Sequence, residues 1–179
     1  MNLIEAGAEF SPDGLHRYRL WRRWGDGRLL YVIGLNPSTA DAQHNDPTVR
    51  RCIGFAERWG FDGLMMLNLF AFRATDPIQM RKACDAIGPR NINTLSEQCQ
   101  TALALGSGIL CAWGSHGSYL GMGERVRNGF ELGGVPAACF GLTKNGQPLH
   151  PLYIRSEALV VPFTGDGGRL IGATSEAPF

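Results

Sequence analysis

Residues 29–38 read LLYVIGLNPS, where a continuous apolar run passes directly into a polar loop. The run 29–33 shows no alternation of apolar and polar residues, which is typical of a strand covered by helices on both faces. Strands of that kind occur mainly in the parallel sheets of α/β proteins. We therefore expect 29–33 to be a buried strand of such a sheet, covered by helices on both faces.

The rest of the chain repeats this arrangement. Further apolar runs lie at 64–70, 109–113, 135–140 and 159–163. Helical patterns begin near 46, 75, 91 and 119, and the first two carry an Asp-Pro pair, in which Asp caps the helix and Pro occupies its first position. Strands that alternate with helices form parallel βαβ units. The prediction is one α/β domain over 1–179, a three-layer αβα sandwich with a mainly parallel central sheet.

An antiparallel hairpin is predicted around the start of this buried strand. Residues 18–34 contain two strand-like runs around Gly25-Asp26-Gly27. Asp-Gly favours a tight hairpin turn because both residues tolerate a positive φ. We expect these two runs to pair as an N-terminal antiparallel hairpin at the edge of the sheet.

The composition limits the classes of partner and cofactor. Hydrophobic residues make up 44% of the chain and the net charge is +1, so no overall field attracts nucleic acid or an anionic membrane. The five cysteines form no C-x-x-C pair and the four histidines show no ligand spacing, which argues against a disulfide framework or a metal site. No apolar stretch approaches the roughly 20 residues of a membrane span. We expect a cytoplasmic protein that uses no membrane, metal or cofactor.

Ligands of parallel sheets bind beyond the carboxyl ends of the strands. Asn36 follows the buried strand 29–33, and Gly34 and Pro37 on either side allow close approach and hold the turn rigid. A positioned Asn36 would orient a water molecule, although a plain Asn-Pro turn has the same sequence. The nearest carboxylates are Asp41 and Asp46, and Asp46 is either a helix cap alone or also a base.

Two other strand ends carry polar candidates. Asn68 lies inside an apolar run and needs a partner or a ligand. His150 lies in a loop without apolar periodicity, where an imidazole would stabilise a developing anion, unless it is an ordinary surface histidine. His116 is a weaker candidate of the same kind.

These residues together resemble a known family. Over about residues 29–155, the order of G-L-N-P-S, N-L-F-A-F-R with a following Pro, W-G and H-P resembles the uracil-DNA glycosylase superfamily. By that resemblance, 34–38 is the water-activating motif in its asparagine form, Asn68 reads the base edge and His150-Pro151 begins the leaving-group motif. The fuller pattern G-L-N-P-S-T-A-D, D-P-T-x-R-R, N-L-F-A-F-R and H-P-L-Y also resembles the family of unknown function 1643 of bacteria and phages.

The resemblance implies an N-glycosidic bond hydrolase that acts on a nucleobase. Leu152-Tyr153 replaces the Ser-Pro and apolar wedge that open a duplex, so the expected partner is a nucleotide or a single strand. The implied catalytic residues are Asn36, His150, Asp46 and Asp41. The implied substrate-binding residues are Gly34, Leu35, Pro37, Ser38, Asn68, Phe70, Phe72, Arg73, His116 and Tyr153, with Phe70 or Phe72 as a stacking face.

The phosphate is assigned to Arg50-Arg51 or Arg73, although such charges also suit an ordinary solvated helix face. Two alternatives stay open for the function. The first is a nucleotide or modified-base sensor without chemistry. The second is an enzyme that acts on free nucleosides or hypermodified phage bases. The sequence does not predict the oligomeric state.

Overall fold

The computed structural model describes residues 3–164, and residues 165–179 of the predicted domain lie outside that range. Within it, the strands are β1 Glu5–Phe10, β2 Arg17–Arg23, β3 Leu29–Gly34, β4 Gly63–Asn68, β5 Gly108–Cys111, β6 Ala137–Cys139 and β7 Val161–Thr164. The α-helices are α1 Pro47–Arg58, α2 Pro77–Lys82, α3 Asn91–Ala104 and α4 Met122–Gly133, and 3₁₀ turns span Ser115–Gly121 and Pro151–Tyr153.

All seven strands form one sheet in the order β1-β2-β4-β3-β5-β6-β7. The four central strands β4, β3, β5 and β6 are mutually parallel. Strands β2 and β7 run antiparallel to their neighbours, and β1 is antiparallel to β2 in turn. Only β2 and β7 therefore oppose the common direction, which confirms the mainly parallel sheet.

Helices cover both faces of the central strand. Leu30 and Val32 of β3 pack with the buried residues of α1 on one face. Tyr31 and Ile33 point to the other face, as the two-residue period of a strand requires, and pack with α3. The three-layer arrangement and the burial of 29–33 between two layers of helices are confirmed.

The predicted hairpin around Gly25-Asp26-Gly27 is wrong. Strands β2 and β3 do not pair, because β4 lies between them and pairs with both. The segment crosses the end of β4, where the carbonyl oxygen of Asp62 accepts from the N–H of Gly25 and its carboxylate accepts from the N–H of Gly27 at 2.9 Å. The antiparallel hairpin at this edge joins β1 to β2 instead, through residues 11–16.

The helix-start signals are confirmed. Asp46 accepts a hydrogen bond from the N–H of Val49 at 2.8 Å, and Asp76 caps α2 by accepting from the N–H of Ile78 at 2.8 Å. The weaker helix predicted over 119–130 begins three residues later, at Met122, since a 3₁₀ turn takes up the preceding segment. None of the helices described for residues 3–164 has the length and apolar character needed to cross a bilayer.

The connections open a crevice at the middle of the sheet. Strand β3 continues through α1 to β4 on one side, and β5 continues through α4 to β6 on the other. The carboxyl ends of the adjacent strands β3 and β5 are therefore left uncovered between two diverging connections. Such a switch point is the usual ligand site of an open α/β sheet.

Candidate functional site

A cleft of about 660 Å³ opens at this switch point. Its walls come from the loops that follow β3, β4, β5 and β6. Nine residues predicted from the sequence line it: Gly34, Leu35, Asn36, Ser38, Asp46, Asn68, His116, His150 and Tyr153. The strand ends therefore bring the main polar candidates to a single cavity.

The side-chain amide of Asn36 is held by backbone carbonyl groups. Its Nδ2 donates to the carbonyl oxygens of Ala74 at 2.7 Å and Pro37 at 3.0 Å, with a longer contact to Phe72 at 3.4 Å. These bonds fix the orientation of the amide, since only the nitrogen donates. Its Oδ1 has no hydrogen-bond partner within residues 3–164 and stays free to accept from a ligand or a water molecule.

Gly34 makes room for the amide of Asn68. The two residues face each other in the β3–β4 ladder. A Cβ atom on Gly34 would lie 2.9 Å from Asn68 Nδ2, too close for an undisturbed contact. Asn68 is only 4% exposed, yet it lines the cleft. Because position 34 has no side chain, the Asn68 amide can lie at the bottom of the cleft, which we call its floor.

A buried arginine on β2, which the sequence did not predict, orients Asn68. Arg17 is 2% exposed and donates from Nη2 to Asn68 Oδ1 at 3.3 Å and from Nη1 to the carbonyl oxygen of Ala40 at 2.9 Å. Among the described residues it forms no ion pair, and its Nε has no partner. With Oδ1 bound to Arg17, the Nδ2 of Asn68 is the donor that remains for a ligand.

Burial lowers the pKa of Arg17 to about 10, against the attraction of the Asp46 carboxylate. The guanidinium therefore keeps its proton at neutral pH. It places one positive charge in the wall of the cleft, and Asp46 places one negative charge nearby. The two charges largely balance.

Asp46 caps α1 with one of its carboxylate oxygens. Oδ1 accepts from the N–H of Val49 at 2.8 Å, while Oδ2 has no hydrogen-bond partner within the described range. The side chain is 7% exposed and lines the cleft. Asp46 can therefore be both the cap of α1 and a base, because capping occupies Oδ1 and leaves Oδ2 without a partner among the described residues.

His150 caps the 3₁₀ turn Pro151–Tyr153. Its Nδ1 lies 3.4 Å from the backbone nitrogen of Leu152 and accepts from it. A neutral ring that accepts at Nδ1 carries its proton on Nε2, so Nε2–H is a donor. Burial lowers the pKa of His150, while Asp46 opposes that shift. The ring is therefore a neutral donor at pH 7.

The 3₁₀ turn also exposes an aromatic ring at the mouth of the cleft. Tyr153 is 86% exposed, and its ring lies 5.8 Å from that of His150. Gly114 lies beside His150, has φ +73° and would place a Cβ 3.3 Å from the Cβ of His150. A glycine at position 114 thus keeps the wall close to the imidazole.

Comparison with known families identifies the chain. The family described as "Protein of unknown function (DUF1643)" matches residues 17–152. The chain belongs to this family. The matched segment of this DUF1643 chain runs from Arg17 to the turn after His150 and includes Asn36, Asp46 and Asn68. No curated protein and no solved structure matches the chain.

The two phenylalanines of the DUF1643 chain predicted to stack on a base do not line the cleft. Phe70 is fully buried in the core, where it packs against Tyr119. The ring of Phe72 packs edge-on against His16, 5.8 Å between centroids. Neither ring is therefore available as the predicted stacking face for a base, because both pack against other rings inside the fold.

Asp41 also lies outside the cleft lining. Its Oδ1 accepts from the backbone N–H groups of His44 at 2.7 Å and Gln43 at 2.8 Å, which closes a tight turn. These bonds, that of His44 first, lower the pKa of Asp41 to about 2. A carboxylate so stabilised in its charged form is a poor proton acceptor, which leaves Asp46 as the carboxylate of the site.

The predicted phosphate pair serves the fold of the DUF1643 chain. Arg50 donates to the carbonyl oxygen of Asn45. Arg51 donates to Ser156 Oγ at 2.8 Å and lies over the ring of Phe55. Both guanidinium groups are engaged with the chain itself and neither lines the cleft.

Two other predicted residues have a different place from the one expected. Pro37 contributes a carbonyl acceptor to Asn36 and is not part of the cleft lining. Arg73 lines a separate, neighbouring cavity. Within residues 3–164, no three His, Cys, Asp or Glu side chains lie close enough together to hold a metal ion.

Proposed function

We propose that this cleft hydrolyses the N-glycosidic bond between a nucleobase and its sugar, in the manner of the uracil-DNA glycosylase superfamily. One observation carries the proposal. Three oriented polar groups, Asn36 Oδ1, Asn68 Nδ2 and His150 Nε2, belong to side chains of a single cleft and have no partner within the described residues. The set contains one acceptor for a water molecule and two donors for a base.

The reaction follows from the chemistry of these groups. As the glycosidic bond breaks, its electron pair goes to the base while the sugar becomes oxocarbenium-like. Asn36 Oδ1 orients the attacking water, whose oxygen bonds to the anomeric carbon. Asn36 cannot accept the proton, so Asp46 Oδ2 takes it. His150 Nε2–H donates a hydrogen bond to the negative charge that develops on the base.

The charge of the cleft suits a neutral base. Arg17 and Asp46 carry opposite charges, and His150 is neutral. Asn68 Nδ2 offers a donor, which pairs with a keto oxygen and not with an amino group. The floor of the cleft therefore favours a base with a carbonyl edge.

The mouth of the cleft favours a flexible strand or a single nucleotide. Tyr153 offers an exposed ring on which a neighbouring base stacks, a contact worth about 1–3 kcal/mol. The net charge of +1 is too small to hold a duplex by its phosphates. We therefore propose a single-stranded nucleic acid or a nucleotide as the substrate.

The test is release of base from defined oligonucleotides. Single- and double-stranded DNA carrying uracil, hypoxanthine or a modified pyrimidine is incubated with the protein, and abasic sites are counted. Asn36→Ala and His150→Ala should each lower the rate by about 100-fold or more, as loss of one preorganised group does. Arg58→Gln is the matched control, because Arg58 ends α1, about 16 Å along the helix from its cleft end. Equal rates for all four proteins, or no release from any substrate, would refute the proposal.

A second candidate function is a nucleotide or modified-base sensor without catalysis. Asn36 favours it, since an amide at the water position orients a molecule but takes no proton. The sensor predicts tight binding of a nucleotide without release of its base. Free nucleosides and hypermodified phage bases belong in the same assay, because an enzyme for them needs no strand.

A further inference from the structure

A second cleft of about 430 Å³ adjoins the first. Four residues line both cavities: Ser38, Thr39, Ala74 and Thr75. The ridge between them is therefore thin and rich in hydroxyl groups. A molecule seated in the first cleft can extend over this ridge into the second.

Arg73 supplies the positive charge of the second cleft. Its Nη1 donates to the carbonyl oxygen of Gly14 at 3.0 Å, and its guanidinium lies 4.9 Å from the ring centroid of Phe10. These contacts hold the group in place. Of its donors, Nη1 alone has an acceptor within residues 3–164, and the buried Nε has none. The fixed guanidinium thus retains unused N–H groups.

The remaining lining is suited to an anion. Hydroxyl groups come from Ser38, Thr39 and Thr75, and an amide comes from Gln79. No carboxylate belongs to the lining in the part of the chain described. Two carboxylates adjoin lining residues in sequence, Asp13 beside Gly14 and Asp76 beside Thr75. Asp13 accepts from Ser11 Oγ and from the N–H of Leu15 at 3.0 Å, and Asp76 caps α2 by accepting from the N–H of Ile78 at 2.8 Å.

A second arginine, Arg17, lies on the side of the first cleft, where the carboxylate of Asp46 largely balances its charge. Burial lowers the pKa of Arg17, and repulsion from Arg73 adds to that effect, so the two guanidinium groups sense each other. Arg17 holds Ala40, next to the shared residue Thr39. The loop between the clefts thus has a cation on each side.

We propose that the second cleft binds the phosphate group of a nucleotide whose base occupies the first cleft. Arg73 donates to the phosphate oxygens, and the hydroxyl groups of the ridge complete the contact. This inference rests on the proposed function and selects among its substrates, because a free nucleoside has no phosphate for the second cleft. A terminal monoester and an internal diester offer the same oxygens.

Probes without a base test this site independently of base specificity. Calorimetry compares 2-deoxyribose, 2-deoxyribose 5-phosphate and a single-stranded thymidine heptamer with a central tetrahydrofuran residue. The wild type should bind 2-deoxyribose 5-phosphate about 10- to 100-fold more tightly than 2-deoxyribose, the value of hydrogen bonds to a charged group. The heptamer shows whether a diester is accepted as well.

Arg73→Gln should abolish the preference for the phosphorylated sugar, whereas Arg58→Gln should preserve it. For the heptamer, Arg73→Gln should lower the slope of log affinity against log salt by about 0.7, the share of one phosphate contact on a single strand. Gln79→Leu, at an exposed position, serves if Arg73→Gln folds poorly and should weaken binding by about 2- to 10-fold.

Equal binding of the two sugars by the wild type would overturn the inference, and so would a preference that survives in Arg73→Gln. Base release by the wild type is measured separately. Base release without a preference for the phosphorylated sugar would refute only the phosphate site in the second cleft. A preference for the phosphorylated sugar without base release would refute only the proposed hydrolysis.

Discussion

Replacing Gly34 with alanine tests the geometry of the floor of the cleft. The added Cβ lies 2.9 Å from Asn68 Nδ2, against about 3.5 Å for a relaxed contact. Asn68 must therefore move by about half an ångström. Its Oδ1 already lies 3.3 Å from Arg17 Nη2, so that shift breaks the bond. The amide would lose its fixed orientation while the sheet stays intact.

The magnitude follows from overpacking at a tight position, which costs about 1–3 kcal/mol. The binding donor is lost as well, so base release should fall by about 10- to 100-fold. Gly54→Ala is the matched control. It lies within α1 with open space around the new Cβ, so it should raise the stability by about 0.5–1 kcal/mol and leave the rate unchanged.

Urea unfolding of Gly34→Ala, Asn68→Ala and the double variant measures the contact directly. Removal of the Asn68 amide takes away the atom that the new Cβ would strike. The two changes should therefore couple by at least about 1 kcal/mol. Free energies that add within about 0.5 kcal/mol would refute the clash, and with it the account of Gly34.

Three further predictions concern single side chains of the cleft. Asp46→Asn should change the stability little in urea unfolding, because an amide oxygen still accepts from the N–H of Val49. In the oligonucleotide assay it should lower base release by at least about 100-fold, because an amide accepts no proton from the water. His150 has a folded pKa below its unfolded value of about 6.5, so protonation favours the unfolded chain and stability should fall as pH drops below about 6.5; His150→Gln should lose less stability than the wild type between pH 7.5 and 5. Tyr153→Ala should leave the melting temperature unchanged and weaken binding of a single-stranded oligonucleotide by about 5- to 100-fold, and unchanged binding would contradict stacking on this ring.

The core of the fold was predictable because its signals are local. The run 29–33 is apolar throughout since both faces of β3 are covered, and the caps Asp46 and Asp76 each sit before a proline. The hairpin at 25–27 failed for the opposite reason. Its turn residues are real, but β4, some forty residues later, takes the place beside β3 that the turn would have given to β2.

The residues of the cleft were likewise predictable only in part. Asn36, Asn68 and His150 were found because polar residues at the ends of apolar runs stand out in a sequence. Arg17 was missed because a charge in a strand is usually read as solvent-facing, and only the closure of the loop over β2 buries it. Phe70 misled for a related reason, since an aromatic residue near a strand end suits a core as well as a ligand.

Two arginines of β2 tie the loop 38–46 to the sheet. Arg17 binds the carbonyl oxygen of Ala40, and Arg22 binds that of Asp41 together with the side chain of Asn45. The conformation of this loop therefore depends on β2, the strand next to the edge strand β1. If β1 and β2 separated from the sheet, the molecule would keep its central strands and helices. Its secondary structure, as measured by spectroscopy, would then still be that of a folded protein. Such a molecule would have no cleft, so the loss of ligand binding on warming should precede the loss of secondary structure.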